Sequence, residues 1–295
     1  MRPARELSIL TGYSARQATR VEVATKFVPN CRYYEINGTG AMDQLLDFSG
    51  KVALVTGGSR GLGRAMALAL AARGADIIVT SRKAEACEEV AAEITVMGRQ
   101  ALAYGCHVGH WDEIDGLVDA AYDRFGKVDI LINNAGMSPL YDKLSNVSEE
   151  LFDKVIGVNL KGPFRMMALV GERMAAGAGG TIVNISSTAS LNPSPTSEPY
   201  GAAKSGLNAL TRSYAFAYGP KVRVNGIAAG PFLTDISKAW DMQAFEQRAK
   251  NNLALGRGGE PEEIVGAQEV KSWSGEVKII PLTPGFSTTS QINSM

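Results

Sequence analysis

Between Lys51 and Ala229, short apolar runs alternate with stretches in which apolar positions recur at helical spacing. The runs read as buried strands and the stretches as amphipathic helices. KVALVTGG, a run closed by glycines, is followed by the helical RAMALALAARG and a second run, ADIIVTSR. Strand, glycine-rich turn, helix and strand make a βαβ unit, whose crossover is right-handed. The alternation continues through helix EACEEVAAEITVMG, strand QALAYGCHV, helix WDEIDGLVDAAYDRFG and strand KVDILINNAG. Then come helix SEELFDKVIGVNLKGPFRMMALVGERMAAG, strand GGTIVNISS, helix GAAKSGLNALTRSYAFA and strand KVRVNGIAAG. Strands this poor in polar residues are covered on both faces. The pattern predicts an α/β fold, a doubly wound, Rossmann-like parallel sheet with helices on both faces.

The two ends lack this pattern. Residues 1–41 are polar, broken by Pro3, Pro29 and three glycines, and carry Arg2, Arg5, Arg16, Arg20, Lys26 and Arg32 against three glutamates. They read as a disordered N-terminal extension. A transit peptide is the alternative, but Glu6 and Glu22 interrupt it. A dinucleotide-binding catalytic domain then spans 42–267, and residues 268–295 form an atypical tail. Within the tail, SGEVKIIPL offers a shortened last strand that Pro281 and Pro284 end early.

Composition narrows the partners. Lysine plus arginine number 30 and aspartate plus glutamate 30, a balance that advertises neither nucleic acid nor an anionic membrane. No apolar run reaches the ~18 residues of a membrane span. Cys31, Cys87 and Cys106 have neither metal nor disulfide spacing and point to the reducing cytoplasm. His107 and His110, the only histidines, are too few for a His-rich metal site, so no metal is expected.

TGGSRGLG, Thr56 to Gly63, joins the first strand to the first helix. Glycine is needed where backbone amides approach a pyrophosphate, and the helix N-terminus adds partial positive charge. The second strand ends at Ser81 and is followed by Arg82 and Lys83, with no acid to meet a free ribose 2′-hydroxyl. Arg82, with Arg60 in the turn, suits a 2′-phosphate, so NADP(H) is favoured and NAD(H) is the alternative.

In ISSTASLNPSPTSEPYGAAK, Tyr200 and Lys204 are four residues apart, which on a helix puts them on one face about 6 Å apart. A cation beside a phenol stabilises the phenolate, and an isolated phenol titrates near 10, about 3 pH units above neutrality. Ser187 lies thirteen residues before Tyr200, across a loop stiffened by Pro193, Pro195 and Pro199. A hydroxyl, a phenol and an ammonium together make a proton-transfer site.

From Lys51 to Pro231 the chain resembles the short-chain dehydrogenase/reductase family with a TGxxxGxG turn. Thr56, Gly57, Ser59, Arg60, Gly61, Leu62 and Gly63 lie in the matching cofactor turn. Asn133, Ala135 and Gly136 lie in NNAG, with Asn133 given a mixed role, structural and at the adenosine side of the cofactor. Asn159 in VNLKG, Ser187, Tyr200 and Lys204 match the catalytic tetrad, and Pro231 and Thr234 match the segment that touches the nicotinamide carboxamide. The resemblance implies Tyr200 as general acid and base and Ser187 holding the carbonyl oxygen. Lys204 lowers the phenol pKa and binds the nicotinamide ribose, and Asn159 holds a water against Lys204. A small ketone or secondary alcohol is the implied substrate, and a homo-oligomer the implied assembly if the C-terminal segment permits it.

The chain also departs from that family. His107 stands before Val108 where an aspartate is common, which alters the expected adenine contact. After PEEIVGA neither an apolar helix face nor a closing Asp-Gly-Gly follows, so the tail is expected to stem from a frame change or truncation. The competing reading is therefore a cofactor-binding protein of the same fold with impaired turnover. A nucleotide-sugar epimerase also uses Tyr-x-x-x-Lys, but the turn spacing and the short C-terminal region oppose it. Residues Phe232 to Leu255 should form a lid, with Trp240, Met242 and Phe245 as its apolar wall.

Overall fold

A computed structural model describes residues 47–192, 195–253 and 255–265 of the protein. The proposed extension 1–41, the domain start at Met42, the loop residue Pro193 and the tail 268–295 with its candidate strand lie outside the described residues. Among the described residues the strands are β1 (Val52–Thr56), β2 (Asp76–Ser81), β3 (Ala101–Gly105), β4 (Ile130–Asn133), β5 (Gly180–Ser187) and β6 (Val222–Ala229). They form one parallel sheet in the order β3-β2-β1-β4-β5-β6. The α-helices are α1 (Gly61–Ala71), α2 (Ala84–Val96), α3 (Trp111–Phe125), α4 (Glu149–Ile156), α5 (Gly162–Ala176), α6 (Glu198–Tyr218) and α7 (Met242–Asn252). The expected doubly wound α/β sheet is present.

Alternation along each strand sorts the core into two layers. Val52 and Leu54 of β1, Ile78 of β2 and Leu131 of β4 face one layer, closed by Leu117 and Val118 of α3, Met166 and Val170 of α5 and Leu207 of α6. Ala53, Val55, Ile77, Val79, Ile130 and Ile132 face the other, closed by Met66 of α1 and Val90 and Ile94 of α2. Strand order runs outward from β1 to β3 and then outward from β4 to β6. The carboxyl ends of β1 and β4 therefore flank a switch point, where the crossovers diverge and leave a crevice.

Two expectations are modified. The single helix read from SEELFDKVIGVNLKGPFRMMALVGERMAAG is split by a π-helical turn at Gly157–Lys161 between α4 and α5. Pro163 has no N–H to donate to the carbonyl four residues back, so regular α-helical bonding fails there. β6, outermost of the described strands on its side, is buried at Val222 and Val224 but open from Asn225 to Ala228. Past its first residues, the described residues do not cover it on both faces as its apolar sequence suggested.

One polar chain crosses the first layer. Asn133 Nδ2 donates to Asn184 Oδ1 at 2.8 Å, Asn184 Nδ2 donates to Thr211 Oγ1 at 2.9 Å, and Thr211 Oγ1 donates to the Leu207 carbonyl at 2.7 Å. All three side chains are buried, so this chain ties β4, β5 and α6 in one register. Thr211→Val keeps the shape and removes the acceptor for Asn184. It should lower stability in a urea titration by about 1–3 kcal/mol, and an unchanged midpoint and slope would refute the role.

Candidate active site

The turn after β1 is built by its neighbours. Thr56 Oγ1 accepts from the backbone N–H groups of Asn134 (3.0 Å) and Ala135 (3.1 Å) and donates to the Ile132 carbonyl (3.3 Å). Asn134 Nδ2 returns to the carbonyls of Thr56 (2.9 Å) and Gly57 (3.3 Å). Gly57 sits at φ +64°, and a Cβ on Gly63 would stand 2.1 Å from the Gly57 carbonyl oxygen, so the turn folds this tightly only with glycine there. The first turn of α1 has neither an acidic residue nor a side-chain cap, which leaves its N–H groups and positive dipole end open beside half-buried Ser59 and Leu62. This is a cradle for a phosphate.

Two expected contacts of the turn are placed differently. The Thr56 hydroxyl is spent inside the protein, holding the turn rather than facing a ligand. Arg60 lies 3.5 Å from Asp235 in the segment after β6, an ion pair between two exposed side chains. Thr234 stands beside the turn, its Cγ2 3.4 Å from the Cβ position of Gly61, so the lid segment from Pro231 does reach the cradle.

At the carboxyl ends of β2 and β3, Arg82 is exposed and its charge acts on His107. His107 stacks on His110 with ring centroids 4.2 Å apart. Burial foremost, then the charges of His110 and Arg82, hold its pKa below the usual histidine value. Val108 is instead 7% exposed and packs into the first core layer, so its side chain is core rather than a ligand contact. Asn133 is likewise interior, bonded to Asn184, and Asn134 beside it does the work at the turn.

The third group gathers where β5 meets α6. β5 ends at Ser187, a short 3-10 turn follows at Thr188–Ser190, and α6 presents Tyr200 and Lys204 on one face. The Ser187 hydroxyl accepts from the Ala189 N–H at 3.1 Å and lies close enough to the Tyr200 phenol to lower its pKa. Its neighbour Ser186 is turned inward to Ser190 and the Lys204 carbonyl, which distinguishes the two serines. Lys204 is 3% exposed; its Nζ donates to the Ile185 carbonyl at 2.7 Å and stands 5.8 Å from the Tyr200 ring centroid. Asn159, in the π turn, donates through Nδ2 to the carbonyls of Val155 (2.9 Å) and Met137 (2.8 Å) and accepts the Met137 N–H at 3.2 Å. A Cβ on Gly136 would stand 3.0 Å from Asn159 Oδ1 and 3.6 Å from Lys204 Nζ, so the loop after β4 brings Asn159 and Lys204 together.

The electrostatics correct one expectation. Lys204 does not dominate the phenol. Burial pushes the Tyr200 pKa up, with the Ser187 hydrogen bond opposing it. Burial lowers Lys204 to about 8. Desolvation favours the neutral form of each group. The side-chain amide of Asn159 donates to two backbone carbonyls and accepts one backbone N–H, so it braces α4 against the loop after β4.

Some contributors were not anticipated. Asn134 was masked by its twin in the Asn-Asn doublet. Tyr141 donates to the Glu198 carboxylate, accepts the Glu198 N–H at 2.9 Å and lines a small pocket together with Tyr200. An aromatic residue shortly after β4 was the available signal. The lid residues Trp240 and Phe245 pack on each other, centroids 5.0 Å apart, and Phe245 is buried against Gly258. They form the lid's own core, while Met242 is exposed. The segment after β6 is pinned by Leu233 and Pro231 bonding Gly259 at 2.7 and 3.0 Å and by Arg257 gripping both Glu263 oxygens at 2.7 and 2.8 Å, which brings that carboxyl to about 2.

Residues 51–244 match the family model described as short chain dehydrogenase. The human dehydrogenase/reductase SDR family member 4 is 36% identical over 218 residues, 73% of this chain and 78% of that protein. The 7α-hydroxysteroid dehydrogenase of Escherichia coli is 34% identical over 223 residues, 75% of this chain and 87% of that protein. Among solved structures, a 7α-hydroxysteroid dehydrogenase complexed with NADH and 7-oxo-glycochenodeoxycholic acid superimposes with a TM-score of 0.72 at 33% identity, covering 79% of this chain and 93% of that one. With the sheet order, the glycine cradle and the Ser187–Tyr200–Lys204 cluster, these matches make the chain a member of the short-chain dehydrogenase/reductase family, oxidoreductases that bind NAD(H) or NADP(H).

Proposed function

We propose that this chain transfers hydride between NADP(H) and a ketone or secondary alcohol, with Tyr200 as the acid and base. The observation that carries the reading is the half-buried phenol of Tyr200, with the Lys204 ammonium 5.8 Å from its ring centroid and Ser187 acting on its pKa from the end of β5. The cradle fits the cofactor: the tight turn held by Asn134 and the uncapped start of α1 suit a pyrophosphate. Arg82, at the end of β2 with no acid beside it, suits a 2′-phosphate. The related bile-acid dehydrogenase holds NADH and a 7-oxo steroid, which supports the carbonyl class of substrate. The NADP(H) preference therefore rests on Arg82.

NADP(H), when bound, supplies or takes up the hydride. Tyr200 Oη gives its proton to the carbonyl oxygen as negative charge grows there, and in the alcohol direction takes it back. Burial keeps the phenol protonated, the form reduction needs. Ser187 orients the carbonyl oxygen by hydrogen bond. Lys204, anchored by the Ile185 carbonyl, holds a positive charge near the forming phenolate.

Tyr200→Phe should lower kcat for ketone reduction by at least about a hundred-fold while leaving the Kd for NADPH, read by fluorescence titration, within about three-fold. Retained turnover would move the acid elsewhere. Arg82→Ala should raise the Kd for NADPH about ten-fold and leave that for NADH nearly unchanged; equal losses would mean that Arg82 does not read the phosphate. Because Lys204 loses its proton near pH 8, reduction should hold its kcat/KM below that pH and fall above it. A flat profile through about pH 9.5 would exclude a role for the ammonium.

A further inference from the structure

His107 stands two residues past the end of β3, near Arg82 at the end of β2. Its Nδ1 accepts the Gly109 N–H at 3.1 Å. A neutral imidazole that accepts at Nδ1 carries its proton on Nε2, so from that nitrogen it can only donate. Burial and the positive surroundings keep the ring neutral. One ring face is covered by His110, which is itself held by Glu113 at 2.6 Å. Among the described residues none takes a hydrogen bond from Nε2, and the ring borders a cavity of about 470 Å³ whose far wall is α4.

The inference rests on the dinucleotide reading above. A cofactor whose 2′-phosphate meets Arg82 carries its purine onward from β2 toward the end of β3. The base joins the ribose through N9, so the six-position lies on its far edge. In adenine that position is an amine, a donor; in a six-oxo purine it is a carbonyl, an acceptor. We propose that His107 meets this edge as a hydrogen-bond donor, so that the chain binds a six-oxo purine dinucleotide at least as tightly as the six-amino one. A carboxylate at the same place could only accept, and would select the amine.

The test is a fluorescence titration of the reduced nicotinamide at about pH 8, above the usual histidine range, where the His107 ring is neutral. NADPH is compared with reduced nicotinamide hypoxanthine dinucleotide phosphate, for the wild type, His107→Asp and His107→Ala. For the wild type the hypoxanthine dinucleotide should bind with a Kd no higher than that of NADPH. His107→Asp should shift the ratio toward NADPH by at least about ten-fold. His107→Ala should weaken the hypoxanthine dinucleotide more than NADPH, which decides the matter if the aspartate variant does not fold. A wild type that prefers NADPH by about ten-fold or more, or a ratio that does not move on substitution, overturns the proposal while the dinucleotide reading stands. Failure of the wild type to bind either dinucleotide overturns both.

Discussion

The fold turns on how β1 is held against β4 at the switch point. Asn134, 78 residues beyond Thr56 in the chain, donates its backbone N–H to the Thr56 hydroxyl and its side-chain amide to the Thr56 carbonyl. Parallel strands on either side of a crevice need such a tie, because their carboxyl ends splay apart where the crossovers diverge. The tie sets the Gly57 carbonyl and hence the path of the turn, and Gly63 then lets α1 start against it. On its other side the same loop passes Gly136 beside Asn159 and Lys204. One short segment after β4 therefore fixes the phosphate cradle and the catalytic lysine relative to each other.

Burial does opposite things to the two ends of the proton-transfer pair. It raises the phenol of Tyr200 and lowers the ammonium of Lys204, so in both cases the neutral form gains. Lys204 keeps a partner in the Ile185 carbonyl, the minimum a buried cation needs. Ser187 offsets part of the cost on the phenol side. By itself the protein holds an acid ready to give its proton, the state required before a carbonyl oxygen gains charge.

The π turn shows how a local breach of regularity serves the site. Pro163 interrupts the helical bonding, and Asn159 in the π turn donates its side-chain amide to the Val155 carbonyl of α4 and to the Met137 carbonyl outside the helix. The result is a rigid brace between α4 and the loop after β4, reached without a separate element. The segment after β6 is held by different means, an Arg257–Glu263 pair and backbone bonds to Gly259, with Arg60–Asp235 linking it back to the turn.

Much of this was legible along the chain. Alternating apolar runs identified the strands, the glycine spacing after β1 marked the cradle, and the four-residue step from Tyr200 to Lys204 placed both on one face of α6. These are local properties: strand period, helix period and the need for glycine at a tight turn are set by neighbours a few residues away. Other decisions depended on contacts between distant segments. That Asn134 and not Asn133 clasps the turn, that Ser187 and not Ser186 meets Tyr200, that Arg60 turns to Asp235 and that His107 accepts at Nδ1 all follow from which partner lies beside each side chain. The sequence determined which chemical groups reach the carboxyl end of the sheet. Only the tertiary structure decided which hydrogen-bonding atoms are consumed in packing and which remain to act, because a buried donor or acceptor takes its partner from whatever the fold brings within about 3 Å.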